Sequence, residues 1–418
     1  MQDETPQPPT KPPLRSRLRE PMPVAVTALG ITQIIAWGTS LYALGVLGAP
    51  IAADTGWSRT LVFGGLTAGL LVAALVSTSI GRLIDAKGGR FVMSIGSGLM
   101  AIGLAALAQV QSEAAYLGVW ACLGLAMRMS LYDAAFAALV QVTPARGRRA
   151  ISYLTLFGGF ASSIFWPIGH ALNGAMGWRS TLLVFAALNL LVCLPLHWVC
   201  LARTETEPAG TTQASAADAT GGAVLRGRSR TIAMVLFGMV FAASAFVFGA
   251  FSVHLPAVLQ AFGLAPAAAV TLAALKGVAQ VGGRVWELVF AKRMLPLNLG
   301  RISIVFLPLS LVVLLASGAS FAAALIFTLL FGVSNGLVTI VRGAVPLALF
   351  GKEGYGTILG ILATPYLLVN AVSPALFAIF VDAWGYTVAV AILLAAAVLA
   401  LAAIEVMAAW YRRLPPQG

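Results

Sequence analysis

Charge is scarce in this chain. Only 10% of its 418 residues are charged, where a soluble domain of this length carries about 25%. Acids are scarcer than bases, 14 against 26. The three cysteines, Cys122, Cys193 and Cys200, offer neither a disulfide framework nor the spacing of a metal site. The three histidines, His170, His197 and His254, are scattered through apolar runs. No GxSxG, HExxH, P-loop or nucleotide fingerprint is present. These gaps argue against a membrane hydrolase and an ATP-driven pump on this chain, and no cofactor or metal is implied. The excess of base does not point to nucleic acid, because the basic residues are dispersed and no aromatic platform is interleaved with them.

What fills the chain instead is apolar sequence, at 60% hydrophobic residues. Twelve runs approach the ~20 residues needed to cross a bilayer: 24–50, 60–80, 91–110, 115–141, 150–172, 180–200, 232–255, 267–289, 300–317, 322–348, 356–380 and 387–409. The expected fold is therefore an all-α integral membrane protein of twelve spans. The first run lacks a short hydrophobic core with a cleavage site, so it reads as a span rather than a removed signal.

The bases sort between these spans. The N-terminal tail and every second loop hold Lys11, Arg15, Arg17 and Arg19; Arg82, Lys87 and Arg90; Arg146, Arg148 and Arg149; Arg203, Arg226, Arg228 and Arg230; Lys292, Arg293 and Arg301; Lys352; and Arg412 and Arg413. The alternate loops hold only Arg59 and Arg179. Positive charge stays on the cytoplasmic side, so both termini and the even-numbered loops are expected there. The Pro-rich tail 1–22 reads as disordered. The small, polar stretch within 202–230 reads as a flexible cytoplasmic linker. It divides the chain into six-span bundles at 23–201 and 231–410, followed by a short tail at 411–418. Gly56 and Gly263, and likewise Pro167 and Pro374, stand 207 residues apart, a weak internal repeat. Two such halves about an axis along the membrane normal are a transporter architecture with the site between them.

Four bases lie well inside spans, away from their ends: Arg128, Lys276, Arg284 and Arg342. A charge at the bilayer centre costs roughly 2.5–3.5 kcal/mol on insertion scales, so these residues turn away from lipid and lead to the function. Span 8 carries Lys276, Gln280, Arg284 and Glu287 at spacings of 4, 4 and 3, within an arc of about 80° at ~100° per residue. Lys276 has no acid within reach on its own helix; it either contacts substrate or pairs with an acid elsewhere. Glu287 is placed to neutralise Arg284 or to cap a gate. Arg128 is either a cavity residue or a structural one. Asp133, the deepest carboxylate, follows Arg128 by five residues, about 140° around a continuous helix, so the two are not expected to pair. It reads as a gate residue accepting from Arg90, or as a proton carrier. Arg342 can snorkel to the interface. Weaker polar stripes are Gln33, Trp37 and Ser40; Trp166, His170 and Asn173; Asn335, Thr339 and Arg342; and Tyr366, Asn370 and Ser373. Singly each is ordinary helix packing; together they suggest a central cavity with aromatic walls.

The loop Gly81-Arg82-Leu83-Ile84-Asp85-Ala86-Lys87-Gly88-Gly89-Arg90 resembles the signature loop of the major facilitator superfamily and sits where that family has it, between spans 2 and 3. The arginine in span 4 is a further likeness. The resemblance implies alternating access, with Asp85 accepting from helix-terminal N–H groups and Arg90 in the same cytoplasmic gate. Ala86 and Gly89 depart from the family pattern, and the second copy, Gly283-Arg284-Val285-Trp286-Glu287, is degenerate. The texts Ala36-Trp37-Gly38-Thr39-Ser40-Leu41-Tyr42 and Gly56-Trp57-Ser58-Arg59 resemble bacterial members near the monocarboxylate and oxalate–formate porters. In those groups a base on span 8 binds the substrate carboxylate, a role that would fall to Lys276 or Arg284. Span 11 has Tyr366 and Asn370 where oxalate-type porters use a base.

The expectation is a secondary transporter of a small organic anion, acting as a monomer in a bacterial inner membrane, with protons as a candidate coupling ion. Lys276, Arg128, Gln33, Trp37, Gln280, Tyr366 and Asn370 would bind substrate; Asp85, Arg90, Asp133, Arg284 and Glu287 would gate. The rival readings are a proton-driven drug efflux antiporter, for which span 5 offers only Trp166-Pro167-Ile168-Gly169, and a non-transporting receptor or scaffold.

Overall fold

The computed structural model describes residues 20–202, 204, 224–291 and 294–414. Residues 1–19 of the expected tail 1–22, most of the linker and the last four residues lie outside the described residues, while Pro21 and Met22 already belong to the first helix. What is described is helical: α1 (Pro21–Thr39), α2 (Ala43–Thr55), α3 (Arg59–Lys87), α4 (Gly89–Leu107), α5 (Glu113–Ser130), α6 (Tyr132–Val142), α7 (Gly147–Gly159), α8 (Ala161–Leu188), a π-helical turn (Asn189–Cys193), α9 (Leu194–Cys200), α10 (Gly227–Ala261), α11 (Pro266–Phe290), α12 (Pro296–Leu315), α13 (Phe321–Phe350) and α14 (Tyr355–Arg412).

Nine helical stretches among the described residues are long and apolar enough to cross a membrane. Two of them, Gly147–Cys200 and Tyr355–Arg412, are each too long for one crossing. Gly177 (φ 77°, ψ 167°) interrupts the first and Gly385 (φ 78°, ψ 169°) the second. Only glycine enters this region without strain. At Gly177 the chain doubles back, because the rings of Phe165 and Phe185 lie 5.6 Å apart, whereas twenty residues of straight helix would part them by about 30 Å. The 25-residue α11 is less apolar because it carries the Lys276–Glu287 stripe. Together these features are consistent with the twelve spans expected from the sequence. The chain is an integral membrane protein with an all-α fold.

Helix starts on one face are fixed by hydroxyls. Ser58, Ser112 and Ser320 accept from the N–H groups of Leu61, Ala115 and Ala323, satisfying donors that a helix N-terminus leaves free. The opposite face carries both described chain ends, where Glu20 pairs with Arg146 at 3.2 Å.

Apolar side chains form three buried clusters. Two lie within the first half of the chain, joined by the buried Tyr355, Leu359 and Ala371 of α14, with Leu347 of α13 and Leu367 packed against them. The third lies wholly within residues 225–407 and includes the interlocked rings of Phe251, Phe327, Phe331 and Phe377. Lipid tails are as apolar as leucine, so close packing rather than water exclusion holds such helices together. The crossing of α3 on α5 shows it: the backbones of Gly69 and Gly124 touch, and any side chain at Gly124 would collide with the Gly69 carbonyl.

Candidate functional site

The span-4 helix is broken in its middle. Leu131 is extended (φ −83°, ψ −170°), ending α5 at Ser130 and starting α6 at Tyr132. The break leaves the Ser130 carbonyl free of the helix, and Gln33 of α1 fills the gap with an Nε2–H···O bond of 2.7 Å. The Oε1 of Gln33 accepts from the indole N–H of Trp37 at 3.1 Å. Both ends of Gln33 are thus engaged inside the protein, and the residue is fully buried.

The same break overturns the expected separation of Arg128 and Asp133. The 140° rule assumes one continuous helix; here the second helix restarts with a new rotation. Asp133 swings to within 3.6 Å of Arg128 Nη1. Arg128 Nε also donates to Ser77 Oγ at 2.7 Å, and that hydroxyl donates to the Gly360 carbonyl at 2.9 Å. The Nη2 of Arg128 is buried without a partner.

Asp133 does not meet Arg90. Its oxygens accept from Arg342 Nη2 at 3.0 and 3.1 Å, and the Arg342 guanidinium lies 3.9 Å from the centre of the Tyr366 ring. Arg342 therefore does not snorkel to the interface. One carboxylate of the first half is shared by one arginine from each half. Arg90 instead stacks on Trp198 at 4.1 Å, its Nε buried and unpartnered.

Arg284 is likewise not neutralised by Glu287. It is buried, and its three nitrogens donate to neutral groups: Nη1 to the Thr155 carbonyl across the two halves at 2.6 Å, Nε to Gly336 at 3.4 Å and Nη2 to Thr339 Oγ1 at 3.3 Å. Glu287 turns to Arg148 of α7, 3.9 Å away, and its Oε2 is buried without a partner. The i, i+3 spacing permits a pair but does not compel one when a neighbouring helix offers better acceptors.

The signature loop builds a different kind of contact. Asp85 accepts from the backbone N–H groups of Gly356 and Thr357 at 2.8 and 2.7 Å, and from Thr357 Oγ1 at 2.6 Å. These are the free donors at the start of α14, where the helix dipole also favours an anion. Gly81 touches the Gly356 carbonyl, with no room for a side chain. Gly89, which departs from the family pattern, donates its N–H to Gln141 Oε1 at 2.7 Å and packs directly on Ala138. A larger residue there would push span 4 away.

Lys276 is half-buried on α11. Among the described residues it meets no hydrogen-bond or ion-pair partner. Gln280 presses its backbone on Gly336 of α13, and its side chain is half-buried. Asn370 faces Gly249 of α10. The rings of Trp37, Tyr42, Tyr132 and Trp166 run in a chain, with centroids 5.2–6.3 Å apart. The sequence named Tyr42 only as the end of a resembling segment and Tyr132 not at all; their ring contacts to Trp37 and Trp166 bring them to the site.

Among the described residues, the polar contacts between the two halves have a common location. Asp85 with α14, Ser77 with Gly360, Thr364 with Ala74, Asp133 with Arg342, Arg284 with Thr155, and Arg148 with Glu287 and Ala291 all lie at mid-depth or towards the face with the chain ends. Towards the opposite face, the side of α8 that continues from Gly159 carries Ser163, Trp166 and His170, all exposed, and no polar contact between the halves is found there among the described residues. Among the described residues, the polar contacts therefore latch the halves on the side of the chain ends and leave the other side without one.

The sequence profile of the Major Facilitator Superfamily matches residues 29–339, and the chain belongs to that superfamily. No curated protein matches it. Among solved structures it is similar to the human organic anion transporter MFSD10 (TETRAN), at 18% identity and a TM-score of 0.70, over 94% of this chain and 100% of that one. It is also similar to the Escherichia coli fucose:proton symporter FucP, at 12% identity and a TM-score of 0.66, over 93% and 98% of the two chains. At these identities the likeness is one of fold. The class is that of a membrane transporter rather than an enzyme.

Proposed function

We propose that the chain is a secondary active transporter of a small organic anion, a monocarboxylate, working by rocking of the bundles 23–201 and 231–410 around a site near mid-membrane. The charge balance of the interior carries this reading. Asp133 is shared by two arginines, Arg284 has only neutral acceptors, and Lys276 has no polar partner among the described residues. A buried, uncompensated cation is costly, and an anion entering the site relieves that cost during each cycle. MFSD10 is by name an organic anion transporter, but its likeness here is structural, and the substrate class rests on the charges.

Lys276 is the principal ion-pair partner in this reading. Gln280, Tyr366, Asn370 and Trp37 wall the site, the fully buried Gln33 holds the Trp37 indole in place, and Arg128 supports it through Asp133. Asp85, Asp133, Arg284 and Glu287, whose contacts cross between the halves, form the gate on the face of the chain ends, which the positive-inside rule assigns to the cytoplasm, in a bacterial inner membrane on this reading; Arg90, stacked on Trp198 of its own half, does not reach across. The test is Lys276→Gln in purified, folded protein. Binding of small carboxylates, read as ligand-induced thermal stabilisation, is expected to be lost while the unliganded melting temperature is kept. Retained binding and transport of every anion would remove Lys276 from the site. A preference for cationic substrates would refute the anion reading.

A further inference from the structure

Arg284 of α11 fixes how α7–α8 and α11 face one another. Its Nη1 lies 2.7 Å from where a side chain on Gly159 would begin, so Gly159 and Arg284 mark the contact between these helices. The two run in opposite directions: α7–α8 leaves the face of the chain ends, and α11 returns to it. Seven residues are close to two helical turns and rise about 10 Å. Seven residues beyond Gly159 is Trp166, and the junction at Phe160 keeps right-handed helical angles (φ −89°, ψ −4°). Seven residues before Arg284 is Gly277, the neighbour of Lys276. Helical geometry therefore sets Trp166 and Gly277 on the facing sides of the two helices at similar heights, about two turns above the latch, beyond the last polar contact between the halves found among the described residues.

Both sides are open there. Trp166 is 48% exposed, and a side chain added at Gly277 would meet nothing within 4 Å. Trp166 is held edge-on by Tyr42 at 6.3 Å, and its indole Nε1 lies 3.3 Å from the side-chain position of Gly45. One wall of the cleft is thus a supported aromatic face. The other is a bare helix surface beside a lone ammonium group. Arg284, the next cation along α11, is two turns deeper and occupied by carbonyls.

We propose that the transported anion has a flat aromatic body and a single carboxylate. The ring lies between Trp166 and the bare face at Gly277, and the carboxylate is paired with Lys276. This rests on the anion reading of Lys276 and narrows it. A ring offers the flat surface that stacks on Trp166. A second carboxylate would be pressed against the indole, with no cation at that height to receive it.

The experiment uses the purified full-length protein and measures thermal stabilisation by phenylacetate, benzoate, acetate and malonate. Phenylacetate and benzoate are expected to act at concentrations at least about tenfold below acetate, with malonate weaker than either aryl acid. Trp166→Ala should weaken phenylacetate about tenfold and leave acetate unchanged. Trp166→Phe should restore most of the loss, and Gly277→Val, which fills the open face, should exclude the aryl acids and spare acetate. Acetate binding as tightly as phenylacetate, or equal losses for both in Trp166→Ala and Gly277→Val, would overturn the aromatic assignment while leaving the anion reading in place. If no carboxylate stabilises the protein, the anion reading itself falls, and this proposal with it.

Discussion

Asp133 carries more of the interior's charge balance than any other residue. Among the described residues it is the one carboxylate against two guanidinium groups, one from each half of the chain. Replacing it by Asn removes the anion and leaves both arginines buried. Breaking a buried pair from one side costs about 3–5 kcal/mol, so Asp133→Asn is expected to lower the melting temperature of the purified protein sharply. Arg342→Gln should cost less, since Arg128 stays to hold the carboxylate. Equal melting temperatures for the two variants would contradict the shared arrangement. At this scale the sequence was only partly legible. Buried charge could be read residue by residue, and the span-8 stripe with its lone lysine is where the pattern placed it. Partner choice could not be read, because it turns on the break at Leu131, where neither glycine nor proline stands. The one local signal is the Ser130-x-x-Asp133 spacing of a helix start, and even that is incomplete, since Ser130 Oγ finds no partner.

At the scale of the element, the latch is a helix start held by an acid from the other half. Asp85 supplies three bonds to the first turn of α14. Loss of such a cap typically costs about 1 kcal/mol, which corresponds to about a fivefold change between two states that differ in this contact. Asp85→Ala should therefore shift the protein towards the state open on the face of the chain ends. Gly81→Val should do so more strongly, since any side chain there meets the Gly356 carbonyl. The readout is alkylation of an introduced Leu359→Cys, buried in the latched state; unchanged reactivity in both variants would show that this contact does not hold the state. The spans themselves were legible because an apolar run of bilayer length has few other uses. Their ends were less so: the first extends over Pro21–Thr55 rather than 24–50, because Pro21 and Pro23 are tolerated in a first helical turn and the second segment runs on to Thr55, where Gly56 closes it at φ 73°.

For the whole molecule, the sorted bases predict an orientation. A cysteine at the exposed Glu113 should react only with an impermeant reagent added outside, and one at Lys352 only with reagent reaching the cytoplasm. The reverse result would invert the topology. The opening between the halves was not legible. It depends on which of two packings the same helices adopt, and a periodicity says only which face is polar.

The polar stripe of α11 also bears on how the protein is made. A helix carrying Lys276, Arg284 and Glu287 enters lipid poorly by itself, each central charge adding roughly 2.5–3.5 kcal/mol. Its berth is supplied later by α13, whose Gly332 and Gly336 lie against its backbone. Nascent chains halted after residue 290 should leave α11 largely outside the bilayer in a glycosylation-site assay, and chains extended past residue 350 should retain it. The segment proposed to bind substrate would then be the last of its neighbours to settle, held at the translocon until the chain behind it arrives.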